Sequence, residues 1–107
     1  MTTVRLGDDV CISQGCYICT GNHDWTDPSF GLIVRPVELK SGAWAGAMSV
    51  LLPGVTLNEG AVAGAGSVVA QTIPAYEVHT GNPAVFTRVR NVREVHVPFE
   101  AREQVAQ

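Results

Sequence analysis

The sequence predicts an all-β solenoid, a parallel β-helix, and three observations carry that prediction. Aliphatic residues recur every six positions at Leu39, Ala45, Leu51, Leu57, Ala63, Val69 and Ala75, and Gly81 closes the series. Four residues after each, through Val69, stands a small or β-branched residue: Ala43, Ser49, Val55, Ala61, Ser67 and Ile73. Glycines fall one or three places after the aliphatic, at Gly42, Gly46, Gly54, Gly60, Gly64 and Gly66. Self-similarity at a fixed period marks a solenoid, whose repeats bury their apolar faces only by stacking.

Each hexapeptide reads as one short flat strand and a corner. The aliphatic points into the core, the small residue fills the space beside the corner, and glycine serves left-handed or crowded backbone. Three hexapeptides close one triangular coil. The register extends backwards through units that begin at Leu6, Ile12 and Ile18, the last ending at His23. The period then breaks. Asp24 to Glu38 has no six-residue phase and reads as an ejected loop. Its aromatics, Trp25 and Phe30, and the run Gly31-Leu32-Ile33-Val34 predict that it lies against something, another subunit being the expectation. After Pro83 the pattern changes. Val85 to Val97 alternates loosely, as a strand or a short helix leaving the solenoid. Pro98 to Ala106 reads as a terminal helix with proline in its first turn, capping the open end of the column.

The whole is one domain over 1–107: a coil over 6–23, the loop over 24–38, coils over 39–84 and a tail over 85–107. Low aromatic content suits a narrow aliphatic core. The net charge of −3 offers no basic face to nucleic acid. Between Ser41 and Thr87 the charged residues are Glu59 and Glu77 alone, and Arg88, Arg90 and Arg93 follow as one basic cluster. The uncharged stretch from Ser41 to Asn58 has the Gly and Pro content and the period of a coil, not of a membrane span. Met1-Thr2-Thr3 leads straight into repeat, so no secretory leader is expected.

Cys16-x-x-Cys19 with His23 nearby invites a zinc site. The register places Cys16 inward and Cys11 and Cys19 at other phases, so the four converging ligands of a structural site are not expected. The three read as one small core residue and two reduced thiols, which suits the cytoplasm.

The motifs Cys19-Thr20-Gly21-Asn22-His23-Asp24, Gly42-Ala43-Trp44-Ala45-Gly46-Ala47, Pro53-Gly54-Val55-Thr56-Leu57, Gly64-Ala65-Gly66-Ser67-Val68-Val69 and Gly81-Asn82-Pro83-Ala84 resemble the hexapeptide-repeat acyltransferases. The branch they resemble most is the O-acetyltransferases of exopolysaccharide assembly, of the colanic-acid-biosynthesis type, related to the maltose, galactoside and nodulation acetyltransferases. The resemblance runs to about Arg88. It implies a left-handed helix, although crossovers between parallel strands are generally right-handed.

The resemblance also implies a function: acetyl-CoA-dependent O-acetylation of a sugar or polysaccharide-precursor hydroxyl, by direct transfer in a homotrimer with sites between subunits. Such chemistry needs a base for the hydroxyl proton and donors for the developing oxyanion. Histidine, which titrates near neutrality, can serve as that base, and the family's catalytic histidine falls on His23. Asn22, Asp24 and Trp25 would then face the sugar acceptor. Trp44 would pack near the base and the donor, its other reading being an outward aromatic covered by the tail or a neighbour. Ala47 and Ala65 match positions along the pantetheine arm of the acetyl-CoA co-substrate, Gly46 is expected to bind it too, and Asn82, Pro83 and Arg88 match its far end. The arginine cluster would take the acidic phosphates or else form a solvated tail. No metal is implied, and His79 and His96 match no motif position.

Three departures stand beside the matches. Ala70-Gln71-Thr72 replaces a charged corner that often carries lysine, Val85 replaces a common basic residue, and the chain begins one coil before the Thr-Gly-Asn-His corner. The last motivates an alternative from another class, a truncated non-catalytic β-helix serving as an assembly or interaction module. A third reading, a γ-type carbonic anhydrase of the same fold, needs three histidines converging on zinc, and no paired histidines stand at short spacing here.

Overall fold

A computed structural model describes residues 2–92. The expected terminal helix lies outside them, as do Arg93 and His96. Among the described residues there are thirteen strands and no helix, so no helix is long and apolar enough to cross a membrane.

The first rung comprises β1 (Val4–Leu6), β2 (Cys11–Ile12) and β3 (Tyr17–Ile18). A hairpin of β4 (Gly21–His23) and β5 (Leu32–Val34) interrupts it. The second rung holds β6 (Val37–Leu39), β7 (Trp44–Ala45) and β8 (Val50–Leu51), and the third holds β9 (Thr56–Leu57), β10 (Val62–Ala63) and β11 (Val68–Val69). Last come β12 (Glu77–Gly81) and β13 (Ala84–Val89).

Corresponding strands of successive rungs pair in parallel, giving sheets of order β1-β6-β9, β2-β7-β10-β12 and β3-β8-β11. β13 turns back antiparallel on β12. The predicted aliphatics lie opposite one another: Leu6 on Leu39 on Leu57, Ile12 on Ala45 on Ala63, Ile18 on Leu51 on Val69. From Leu39 to Val69 they are essentially inaccessible, and Ala43, Ser49, Val55, Ala61 and Ser67 fill the space beside them. In the first rung Leu6 and Ile12 are exposed, with only one rung stacked upon them.

The corners explain the glycines. Asp9, Gly15, Gly42, Met48, Gly54, Gly60, Gly66 and Tyr76 all have φ between 54° and 85°, each three residues before an inward slot. The turn between flat strands demands left-handed backbone, which glycine takes without a Cβ penalty. The glycines one place after the aliphatic meet a different demand. A Cβ on Gly46 would lie 2.7 Å from the Ala63 carbonyl oxygen.

Two expectations are corrected. The repeat does not run on through Ala75. Leu57 bridges to Ile73 and Ala63 pairs with His79, sixteen residues on, where pairs between the second and third rungs are eighteen apart. Ile73 takes the inward slot, fully buried, and Ala75 is exposed. An isoleucine buries more apolar surface over Leu57 than an alanine would, and Thr72 Oγ1 accepts the Thr56 N–H at 3.1 Å in the shortened corner. The second correction concerns Gly21 to His23, which the period assigned to the first coil. They pair with Leu32–Val34 as a hairpin, and the rungs resume at Val37, itself fully buried.

Candidate active site

His23 is the last residue of β4, directly opposite Leu32. The hairpin carries it clear of the rungs, and its side chain is exposed. Asn22 Oδ1 accepts the His23 N–H at 2.9 Å. The imidazole Nδ1 lies 2.8 Å from the Phe30 carbonyl oxygen. A carbonyl only accepts, so Nδ1 is the donor, and in the neutral ring Nε2 is the acceptor nitrogen. The Phe30 ring lies 6.1 Å away, tilted 44° to the imidazole.

The hairpin tip is built by two aspartates. Asp24 Oδ1 accepts the Thr26 N–H at 3.0 Å and the Thr26 hydroxyl, and Asp24 N–H donates to the Gly31 carbonyl at 2.8 Å. Asp27 Oδ1 accepts the Ser29 N–H and hydroxyl, at 3.0 and 2.9 Å. Both carboxyls are held below the ordinary value, Asp24 chiefly by the Thr26 hydroxyl and Asp27 chiefly by the Ser29 N–H. Trp25 stands at the tip, 82% exposed. Asp24 therefore spends its side chain on the turn, and Trp25 is the open apolar surface of the same hairpin as His23.

The other site residues gather on a different edge. Gly46 and Ala47 follow β7, and Ala65 follows β10. The Gly66 N–H donates to the Ala47 carbonyl at 2.8 Å, so the two corners stack. The next turn above them is Gly81-Asn82-Pro83, with Gly81 N–H on Ser67 Oγ at 3.1 Å and a cis bond between Asn82 and Pro83. One edge thus carries Gly46, Ala47, Ala65, Asn82 and Pro83. The sheet of β3, β8 and β11 separates it from the corner that bears Asn22, His23, Asp24 and Trp25. Within one chain the histidine and the small-residue edge do not meet.

Trp44 projects outward from β7, 43% exposed, and its indole N–H donates to Ser13 Oγ at 2.8 Å. Its described hydrogen bond therefore goes to the first rung. The arginine cluster is divided. Arg90 Nη1 donates to the carbonyls of Gly42 and Gly60 at 3.0 and 3.1 Å, tying two stacked corners together. Arg88 stays on β13, in a shallow groove with Val78, Thr87 and Asn91 that Arg90 also lines.

Cys16 packs on the core with its thiol 3.1 Å from the Gly46 carbonyl, Cys19 reaches the Gly21 carbonyl, and Cys11 is exposed. Among the described residues no group of three or more His, Cys, Asp or Glu could hold a metal ion. His79 is occupied elsewhere, its Nε2 2.9 Å from Glu77 Oε1 and its ring edge-on to Phe86.

Two participants escaped the sequence reading: the Phe30 carbonyl, which leaves no mark in a sequence, and Asp27. The latter had a signal in Asp27-Pro28-Ser29, a turn signature with proline at its second position.

No family model matches the chain. It is 38% identical over 87 residues to a protein of Escherichia coli (strain K12) named as a colanic acid biosynthesis acetyltransferase, WcaF, with 81% of this chain and 48% of that one aligned. Among solved structures, a galactoside acetyltransferase in complex with coenzyme A superposes with a TM-score of 0.77 at 27% identity, over 89% of this chain and 52% of that one. A variant of AntD, an N-acyltransferase from Bacillus cereus solved with dTDP-4-amino-4,6-dideoxyglucose and coenzyme A, gives 0.77 at 22% identity, over 83% and 53% of the two chains. The chain spans about half the length of the curated relatives it matches. The shared residues and the shared path of the backbone make this chain a member of the hexapeptide-repeat acyltransferase family.

Proposed function

We propose that this chain is an acetyl-CoA-dependent O-acetyltransferase acting on a sugar hydroxyl, built as a left-handed parallel β-helix solenoid. The observation that carries the reading is the orientation of His23. Its Nδ1 engages the Phe30 carbonyl, so in the neutral ring Nε2 is the nitrogen left to accept a proton, as a general base requires. His23 takes the acceptor hydroxyl's proton at Nε2 as the hydroxyl oxygen bonds to the acetyl carbonyl carbon. It returns that proton to the sulfur as the carbon–sulfur bond breaks, so the products are an acetyl ester and a free thiol. No covalent enzyme intermediate is needed.

Gly46, Ala47, Ala65, Asn82 and Pro83 form the edge along which acetyl-CoA would lie, where small side chains leave backbone groups approachable. Arg88 would meet its phosphates. Asn22 and Trp25 would meet the sugar beside His23. Because the two edges lie on opposite sides of one sheet, the reading includes a homotrimer in which one chain supplies His23 and its neighbour supplies the small-residue edge.

Calorimetric titration with acetyl-CoA, with free coenzyme A alongside, is the first test, followed by turnover against a panel of sugars. Saturable micromolar binding is expected. His23→Ala should keep that binding and lose about 100- to 10,000-fold in turnover, the range of a general base. Normal turnover in a well-folded His23→Ala protein ends the assignment. No binding by a folded protein turns the reading to an assembly module.

A further inference from the structure

The hydrogen bond that orients His23 comes from a residue in an uncommon backbone conformation. Phe30 has φ 54°, in the left-handed region that bulky side chains rarely adopt and that persists only where surrounding contacts enforce it. The enforcing contacts come from Asp27. Phe30 N–H donates to the Asp27 carbonyl at 2.9 Å, closing a turn with Pro28 at its second position. The carboxylate then completes the turn. Oδ1 holds Ser29 through two bonds, and Oδ2 accepts the Gly31 N–H at 3.3 Å.

That last bond is the informative one. The Gly31 N–H and the Phe30 C=O belong to a single peptide unit, which is planar and rigid. In a trans peptide the two groups point in opposite directions. Asp27 grips the plane from one side, and His23 Nδ1 sits on the carbonyl at the other. Gly31 permits the approach, since a Cβ there would lie 2.8 Å from Asp27 Oδ2. A displacement of the carboxylate therefore passes through one rigid plane to the imidazole.

We propose that Asp27 is a positioning residue for His23, acting through the Phe30–Gly31 peptide plane to hold the imidazole in its Nδ1–H tautomer. Its importance for catalysis rests on the reading of His23 as the base. The tautomer itself is measurable without acetyl-CoA or acceptor, so the two can fail separately.

The test is 15N NMR of the full chain labelled at histidine, in mildly alkaline buffer where histidines are neutral. The His23 signals are assigned by their loss in His23→Ala. In the wild type the Nδ1–H form should exceed the Nε2–H form by about fivefold or more, the ratio that one net hydrogen bond commands. Asp27→Ala should abolish that preference. Asp27→Asn keeps an oxygen for Ser29 but faces the Gly31 N–H with a donor, so it should reduce the ratio at least about twofold with the turn retained. In both variants the amide shifts of Val62 and Ala63, in the third rung, should stay in place. A wild-type ratio in both variants overturns the proposal. So does a loss that appears only together with shifted Val62 and Ala63 amides, which would make Asp27 a support of the fold at large.

Discussion

Asp24 and Asp27 are only half-buried, and hydrogen bonds from Thr26 and Ser29 hold each carboxyl below its ordinary 3.8. The folded hairpin therefore prefers the ionised form more strongly than the unfolded chain does. The sign follows by linkage: these bonds contribute fully above pH 3.8 and are lost as pH falls through the lowered folded values. Ordinary acidification to about pH 5 should leave the tip intact, since both groups remain ionised there. The Ser29 and Gly31 amide shifts, followed by NMR, should titrate with an apparent midpoint below 3.8. A midpoint at or above that value would contradict the geometry of the turn. At this scale the sequence was half legible. His23 stood out because a side chain and its motif are written in the chain. Its partner, a main-chain carbonyl, is written nowhere. Arg90 carries a structural role that the sequence does not announce, because its guanidinium reaches two corner carbonyls distant in the chain.

Among the elements, the six-residue period was legible because it is enforced wherever a side chain enters the narrow core. Each inward slot from Leu39 to Val69 was assigned correctly. The period carries no information about which strand a segment pairs with. Gly21 to His23 fit the phase and yet leave the rung, because Leu32–Val34 offer them a backbone partner. It is equally blind to a deletion of two residues when the shifted frame also presents plausible side chains. Ile73 and Ala75 are both aliphatic, and only burial separates them. The two frames make opposite predictions. Ile73→Ala should destabilise the protein by about 2–4 kcal/mol, as removal of a buried large aliphatic does. Ala75→Ser should change stability by less than about 0.5 kcal/mol, as surface substitutions do. Denaturant midpoints at unchanged slope measure both. Equal costs at the two positions would restore the unbroken register.

For the whole molecule, the arrangement of edges decides how the chain could act. His23 leaves the corner after β3, whereas Ala47 and Ala65 lie across the sheet of β3, β8 and β11 from it, so the proposed base and the proposed acetyl-CoA edge stand on separate edges of a single chain. The proposed composite site between chains makes a prediction that a site within one chain does not. Ala65 is exposed on its corner, so Ala65→Trp should obstruct the edge while sparing the core. His23→Ala removes the base from the other edge. Each variant alone should lack the sugar acetylation proposed for the wild type. Mixed at equal amounts, dissociated and reassembled, they should form some interfaces that join an intact histidine edge to an intact small-residue edge. With random assortment each half is intact in one chain of two, so activity should recover to about a quarter of wild type. The recovery requires mixed oligomers, so variants reassembled separately and then combined should stay inactive. Full inactivity of the mixed assembly, with subunit exchange verified by mass, would mean that both residues must come from one chain and would end the composite site.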